Sequence, residues 1–139
     1  MMDKYFVFTD CDLDGAASYL ALKWLINDPL LPYKATTVKT FATDFGNWLA
    51  NNDIEQYKKV FILDIDVSKC AELVDKPNVV IVDHHASHVP NYKKATKIVQ
   101  VHTSNVDLMR KTLLKNLQLT PQQEKLISLT NEYDCYDIK

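Results

Sequence analysis

The chain has 139 residues, the size of one ordinary domain, and 16 Lys+Arg against 18 Asp+Glu leave a formal net charge of −2. Apolar residues at 47% and charged residues at 24% exclude a disordered or collagen-like chain, and the slight negative charge excludes a global basic field that draws the protein to nucleic acid. No apolar stretch is long enough to span a bilayer; the three scattered cysteines, Cys11, Cys70 and Cys135, with no export h-region before them, read as reduced thiols in a cytoplasmic setting.

Tyr5–Thr9, aromatic and β-branched, is predicted to be a buried strand that runs into an acidic loop. Ala16–Ile26 carries Ala, Leu and Trp at helical spacing, and Asp28-Pro29 stops it. Lys34–Phe41 alternates around Thr and Val and reads as a strand. Asp44–Asn51 reads as a helix capped by Thr43. Lys59–Leu63 is an apolar strand ending in Asp64, Ser68–Val74 a short helix, and Val79–Val82 a further apolar strand ending in Asp83-His84-His85. Lys97–Val101 reads as a strand. Val106–Leu117 is an amphipathic helix preceded by Ser104, with Asp107 at the reciprocal capping position. Thr120-Pro121-Gln122-Gln123 opens a last helix that runs toward Tyr133-Asp134. Unbroken apolar strands alternating with helices imply an α/β fold, a mostly parallel sheet with helices on both faces, in one domain over residues 1–139.

Three predicted strands end in acidic or histidine residues: Asp10-Cys11-Asp12-Leu13-Asp14-Gly15, Asp64-Ile65-Asp66 and Asp83-His84-His85. Ligands of an open α/β sheet sit at the carboxyl ends of its strands, so these clusters are expected around one crevice. Asp10, Asp12 and Asp14 project together if the segment is extended. Several carboxylates in one crevice repel, so either their pKa values rise or cations neutralise them. Carboxylate oxygens with imidazole nitrogen suit Mn2+, and less distinctively Mg2+ or Zn2+. A bridging aspartate can hold two such ions about 3.5–4 Å apart, as in two-metal phosphoryl chemistry. Gly15 lets the backbone start a helix closely, with its N-terminus toward a phosphate. Each motif alone has a blander reading: a turn or calcium-type loop for Asp-x-Asp-Gly, a strand-end turn for Asp64, a solvated loop for Asp83-His84-His85. Their order and spacing together favour a metal site.

These motifs resemble the DHH phosphoesterase superfamily. Asp12-Leu13-Asp14-Gly15 resembles its first motif, Phe61-Ile62-Leu63-Asp64 its second, Asp83-His84-His85 the third that names it, and Asp134 its later helical Asp. The resemblance implies two divalent ions, Mn2+ first and Mg2+ as the alternative, in a DHH-type catalytic domain without the usual second domain, either free-standing or a fragment. It implies Asp12 on one metal, Asp14 on the other and Asp64 between them. His84 and Asp134 complete the second set, His85 and Gly15 contact the substrate phosphate, and Asp83 orients the histidines. Asp10 stands where many members have His and RecJ-type members have Asp, as a ligand either directly or through water. The implied activity is hydrolysis of a phosphoester or phosphoanhydride. Its expected substrate is a short or single-stranded nucleic acid; the alternatives are a small phosphate compound, or a metal-binding module with little turnover.

Asp66 is the alternative bridge to Asp64. His102 is expected at the surface, and His88 either at the substrate or in solvent. Lys93, Lys94 and Lys97 form a modest basic patch that reads first as a solvated face and second as a phosphate contact. Trp24 and Trp48 are expected to pack in the core. Cys11 and Cys135 each neighbour an expected ligand.

Overall fold

The structure, a computed structural model, describes residues 3–137 and side chains through residue 134; the side chain of Cys135 lies outside these. Its elements in chain order are β1 (Tyr5–Asp10), α1 (Leu13–Ile26), β2 (Tyr33–Thr36), α2 (Phe41–Asn51), β3 (Lys59–Leu63), α3 (Ala71–Val74), β4 (Val79–Asp83), β5 (Thr96–Val99), α4 (Asn105–Lys111) and α5 (Pro121–Asp137). Two 3₁₀ turns, Ile54–Gln56 and Ser68–Cys70, precede β3 and α3. The five strands form one sheet in the order β2-β1-β3-β4-β5, with every neighbouring pair parallel.

Alternate residues of each central strand feed two separate cores, because successive side chains point to opposite faces. Val7, Phe61, Leu63, Val80 and Val82 pack with Ala17, Ala21 and Leu22 of α1, Val106, Leu108 and Met109 of α4 and Ile127 of α5. Phe8, Val60, Ile62, Val79 and Ile81 pack on the other face with Phe41 and Phe45 of α2 and Val74 of α3. This explains the unbroken apolar runs, since each strand is covered on both sides. Phe8 meets Phe41, Phe45 and Trp48 edge-on at 5.2–5.8 Å between ring centroids. Each fully buried Phe contributes about 1.5–3 kcal/mol of burial. Trp24 and Trp48 pack against the two cores, as expected.

The connection from β1 to β2 runs toward one edge of the sheet, whereas those from β2 to β3 and β3 to β4 run toward the other. Right-handed crossovers then put α1 on one face and α2 and α3 on the opposite one. The reversal leaves a crevice between the carboxyl ends of β1 and β3.

Several boundaries differ from the sequence reading. The strand expected over Lys34–Phe41 is Tyr33–Thr36. Backbone N–H groups of Thr40 and Phe41 donate to Thr37 O, and the hydroxyls of Thr37 and Thr40 lie 2.9 Å apart, closing a turn. The helix therefore starts at Phe41 after Thr40 rather than after Thr43, one turn earlier, which buries Phe41. Likewise β5 spans Thr96–Val99 rather than Lys97–Val101, and α1 begins at Leu13 because the Asp12 carboxylate caps it by accepting from Gly15 N. The helix expected over Val106–Leu117 is shorter, Asn105–Lys111. Thr112 turns both its N–H and its hydroxyl onto Leu108 O, and the chain bends to bury Leu114. Ser104 caps that helix through Asp107 N, but the reciprocal bond is absent: Asn131 Oδ1 takes the Ser104 N–H, and Asp107 instead accepts from Thr103, Arg110 and Lys111. The capping box at Thr120 and Gln123 forms as its pattern predicts, with bonds of 2.9 and 3.1 Å.

Gly15 fixes how closely α1 approaches β1. A Cβ there would stand 2.0 Å from Asp10 O and 2.6 Å from Asp10 C, both backbone atoms that cannot swing away. Gly46, inside α2, would meet nothing within 4 Å. Gly15→Ala is therefore expected to lower stability by about 3 kcal/mol or more, since the backbone must move. Gly46→Ala should raise it by about 0.5–1 kcal/mol by removing unfolded-chain entropy. Urea melts of both variants check this pair of opposite signs.

Candidate metal centre

Register levels the acidic strand ends. Thr9 pairs with Leu63 and Leu63 with Val82, so Asp10, Asp64 and Asp83 follow at the same height on adjacent strands. Asp64 leaves β3 with φ at 64° while its N–H still bonds Val82 O at 2.9 Å. A non-glycine residue held there costs about 1–3 kcal/mol, strain that concentrates at functional sites. The turn buries the Asp64 carboxylate to 1% exposure.

His84 Nε2 lies 2.8 Å from Asp64 Oδ1 and 3.4 Å from Asp14 Oδ2, and His84 Nδ1 lies 3.9 Å from Asp134 Oδ2. Asp14 projects from the first turn of α1 and accepts the amides of Asn105 at 2.8 Å and Val106 at 3.0 Å. Donor atoms of Asp14, His84 and Asp134 lie within 4.8 Å of one another, and so do those of Asp10, Asp12 and Asp64. Asp64 and His84 also group with Asp83 and His85 at that range. Thus every residue expected to ligate metal falls in one connected cluster, with Asp64 touching both halves. A cavity of about 270 Å³, lined by Asp12, Asp14, Thr130, Tyr133 and Asp134 among others, opens beside it.

The electrostatics follow from crowding. Burial, then the nearby Asp14 and Asp12 carboxylates, push Asp64 far above the usual carboxylate range. Burial raises Asp14 to about 6, against the two amide bonds and His84, which pull it down. Burial and Asp12 also raise Asp10, whose carboxylate accepts from Cys11 N. Asp83 goes the other way: burial opposes its charge, but hydrogen bonds from His85 and His88 outweigh that and hold it well below the usual range. Its bond to His85 raises that imidazole in turn.

Asp64 Oδ2 is buried without a hydrogen-bond partner, a costly state for a carboxylate oxygen unless something else satisfies it. Oxygen donors with one imidazole form a donor set that fits a hard or borderline divalent cation. Asp10, Asp12, Asp14, Asp64, His84 and Asp134 therefore suit such ions.

The remaining candidates separate. Asp66, the alternative bridge, turns away and accepts from Ser68 N at 3.0 Å and from the Ser87 hydroxyl. Gly15 has its N–H engaged by Asp12 Oδ1 at 2.8 Å and its carbonyl by the Thr9 hydroxyl, so it packs the helix rather than offering a free amide to phosphate. His102 is exposed and joins none of these clusters among the described residues. Lys97 Nζ donates to Val89 O and Pro90 O, tying down the loop that follows Asp83-His84-His85. His88 is neither solvated nor open to a ligand: it is 3% exposed, between Asp83 at 2.7 Å and Tyr92 Oη at 2.7 Å. The partners Tyr92, Asn105 and Val106 were not foreseeable, since they reach the cluster from a loop and a helix end with no periodic signature.

A family model described as the DHH family, N-terminal domain, matches residues 4–134. Among solved structures, the chain is similar to an uncharacterised protein from Helicobacter pylori G27, with TM-score 0.69 and 17% identity over 98% of this chain and 45% of that one. It is also similar to CDC45 from Entamoeba histolytica, with TM-score 0.62 and 17% identity over 99% of this chain and 31% of that one. The chain thus spans less than half the length of either protein, and at this identity the likeness is one of fold. No curated protein matches significantly.

The raised carboxyls give a signed pH dependence. A carboxyl whose pKa is higher folded than unfolded takes up a proton on folding, so its stabilisation is full below about pH 4 and is lost as pH rises through the folded value. With metal chelated, melting temperature should therefore fall from pH 5 to pH 8, through the window set by Asp14 near 6 and Asp64 above it. Divalent ions must displace these protons, so Mn2+ should raise the melting temperature more at pH 8 than at pH 5. Asp64→Asn should remove most of the Mn2+ effect; parallel thermal melts with and without chelator read all three.

Proposed function

We propose a function for this chain, which belongs to the DHH family: divalent-metal-dependent hydrolysis of phosphodiester bonds, most readily in short or single-stranded nucleic acid. The family is one of metal-dependent phosphoesterases. The observation that carries the reading is Asp64, buried and with one oxygen unpartnered, shared between the Asp10/Asp12 group and the cluster holding Asp14, His84 and Asp134. Asp10 and Asp12 would hold one cation and Asp14, His84 and Asp134 the other, with Asp64 available to both. Mn2+ is favoured, with Mg2+ as the alternative, because oxygen donors dominate and one imidazole joins them.

Bound there, such ions supply Lewis acidity toward a phosphoryl oxygen and acidify a nucleophilic water. The chain's own residues do the rest. The amides of Asn105 and Val106 fix the Asp14 carboxylate. Asp83 holds His85 by Nδ1 at 2.6 Å and favours its protonated form, in which Nε2 also carries a hydrogen and donates to a phosphoryl oxygen as charge builds there. Lysine charge near the site is modest: Lys97 is tied to backbone carbonyls, and Arg110 is the one Arg of the chain. This supports short substrates over long polyanions. The 270 Å³ cavity with its acidic lining supports a small phosphate compound as the second reading. Because the chain spans less than half of its structural relatives, full turnover is part of the proposal.

The test is a phosphodiester reporter with Mn2+, followed by short oligonucleotides, a cyclic dinucleotide and pyrophosphate. Turnover on the reporter and the oligonucleotides is expected; turnover on pyrophosphate alone selects the second reading, and none on any substrate refutes the hydrolase. His84→Ala should lose bound metal by elemental analysis. His85→Ala should keep the metal and lose ~10²–10³-fold in rate; metal loss in His85→Ala with retention in His84→Ala reverses the assignment.

A further inference from the structure

Asp83 is fully buried between two imidazoles. Its Oδ1 accepts from His85 Nδ1 at 2.6 Å and its Oδ2 from His88 Nδ1 at 2.7 Å. An ionised carboxylate only accepts, so both Nδ1 atoms carry the hydrogen. With Nδ1–H committed, a neutral His88 ring presents Nε2 as an acceptor, and Tyr92 Oη stands 2.7 Å from it. His88 has no exposed side-chain surface.

The segment carrying these groups is pinned at both ends. The Ser87 hydroxyl donates to Asp66, and His88 N donates to His85 O at 3.1 Å. The Asp75 carboxylate accepts the amides of Lys93, Lys94 and Ala95, and Lys97 Nζ reaches Val89 O and Pro90 O. Donor atoms of Asp66, Asp83 and His88 also lie within 4.8 Å of one another. Each of these side chains already has hydrogen-bond partners here, which favours a hydrogen-bonded network over a further cation.

We propose that His88, held by Tyr92, is a positioning residue for His85: by occupying Asp83 Oδ2 it leaves Oδ1 as the one partner for His85 Nδ1 and so fixes the ring and tautomer of His85. The assignment rests on the reading of His85 as the phosphate-facing histidine. Without His88, the buried carboxylate has an unpartnered oxygen and can turn, and the half-exposed His85 ring loses its fixed anchor. Partners of this kind set orientation and ring tautomer, and their loss typically costs ~10–100-fold in activity.

The test is nitrogen-resolved NMR of the histidine rings in the full chain, metal-free, where only four histidines contribute. The parent should show His85 protonated at Nδ1 with a strongly downfield proton. His88→Leu should give a mixed tautomer for His85 and lose that proton to exchange. His88→Asn, whose amide N–H can stand in for Nδ1–H, should restore both. If His88→Leu does not fold, Tyr92→Phe, which deletes one hydroxyl, decides: a partial shift toward the mixed tautomer is expected. A parent-like His85 tautomer in folded His88→Leu, or in Tyr92→Phe where the first variant does not fold, overturns the proposal. In turnover, His88→Leu should lower kcat ~10–100-fold at unchanged KM and metal content, with His88→Asn recovering most of it. A parent chain without turnover refutes the hydrolase reading and leaves the NMR result to decide the positioning role by itself.

Discussion

The Asp64 carboxylate organises this molecule's functional edge. It sits at the end of a central strand, in a left-handed turn, nearly inaccessible to water, with one oxygen on His84 and the other without a hydrogen-bond partner. Asp10, Asp12 and Asp14 stand nearby on the same edge. Gathered carboxylates of this kind are unfavourable unless protons or cations occupy them, which is why burial and mutual repulsion drive Asp64 and Asp14 upward. The same crowding that favours protons on these carboxylates would favour cations in their place.

The sheet makes this concentration of charge possible. Parallel register puts Asp10, Asp64 and Asp83 at one height, and two covered faces keep the strands rigid beneath them. Gly15 lets α1 start directly against Asp10, so Asp12 caps the helix while Asp14, one residue inside it, turns toward His84. The start of α4 then supplies two amides to Asp14, linking the far end of the chain to its first motif. On the other side, Asp83 forms a separate centre of charge. It accepts from His85 and His88 and is shifted opposite to Asp64.

Much of this was legible in the residues. Strands with apolar runs, Phe61 to Leu63 and Val79 to Val82, announced burial on both faces, and the acidic residues after them announced the crevice. Caps with a complete local signature, such as Thr120 with Gln123, read true because both partners lie within one turn. Failures came where distant packing decided. Thr43 reads as the cap, but burial of Phe41 against Phe8 accompanies a start one turn earlier, after Thr40, which makes no side-chain capping bond. The helix after Ser104 is shorter than its apolar spacing predicts, because that spacing continues past Lys111 while Leu114 enters the core through a turn instead. From the sequence alone His88 reads as a substrate contact or a solvated residue. Nothing in Ala86-Ser87-His88 signals that Asp83 and Tyr92 close on it from both sides.

The proposed function turns on one aspartate, Asp64, that would face two cations. Anomalous scattering at the manganese edge, from crystals grown with Mn2+, reads it directly. Two peaks are predicted, one against Asp10, Asp12 and Asp64, the other against Asp14, Asp64, His84 and Asp134. A single peak, or peaks that leave Asp64 without contact to either ion, would contradict it.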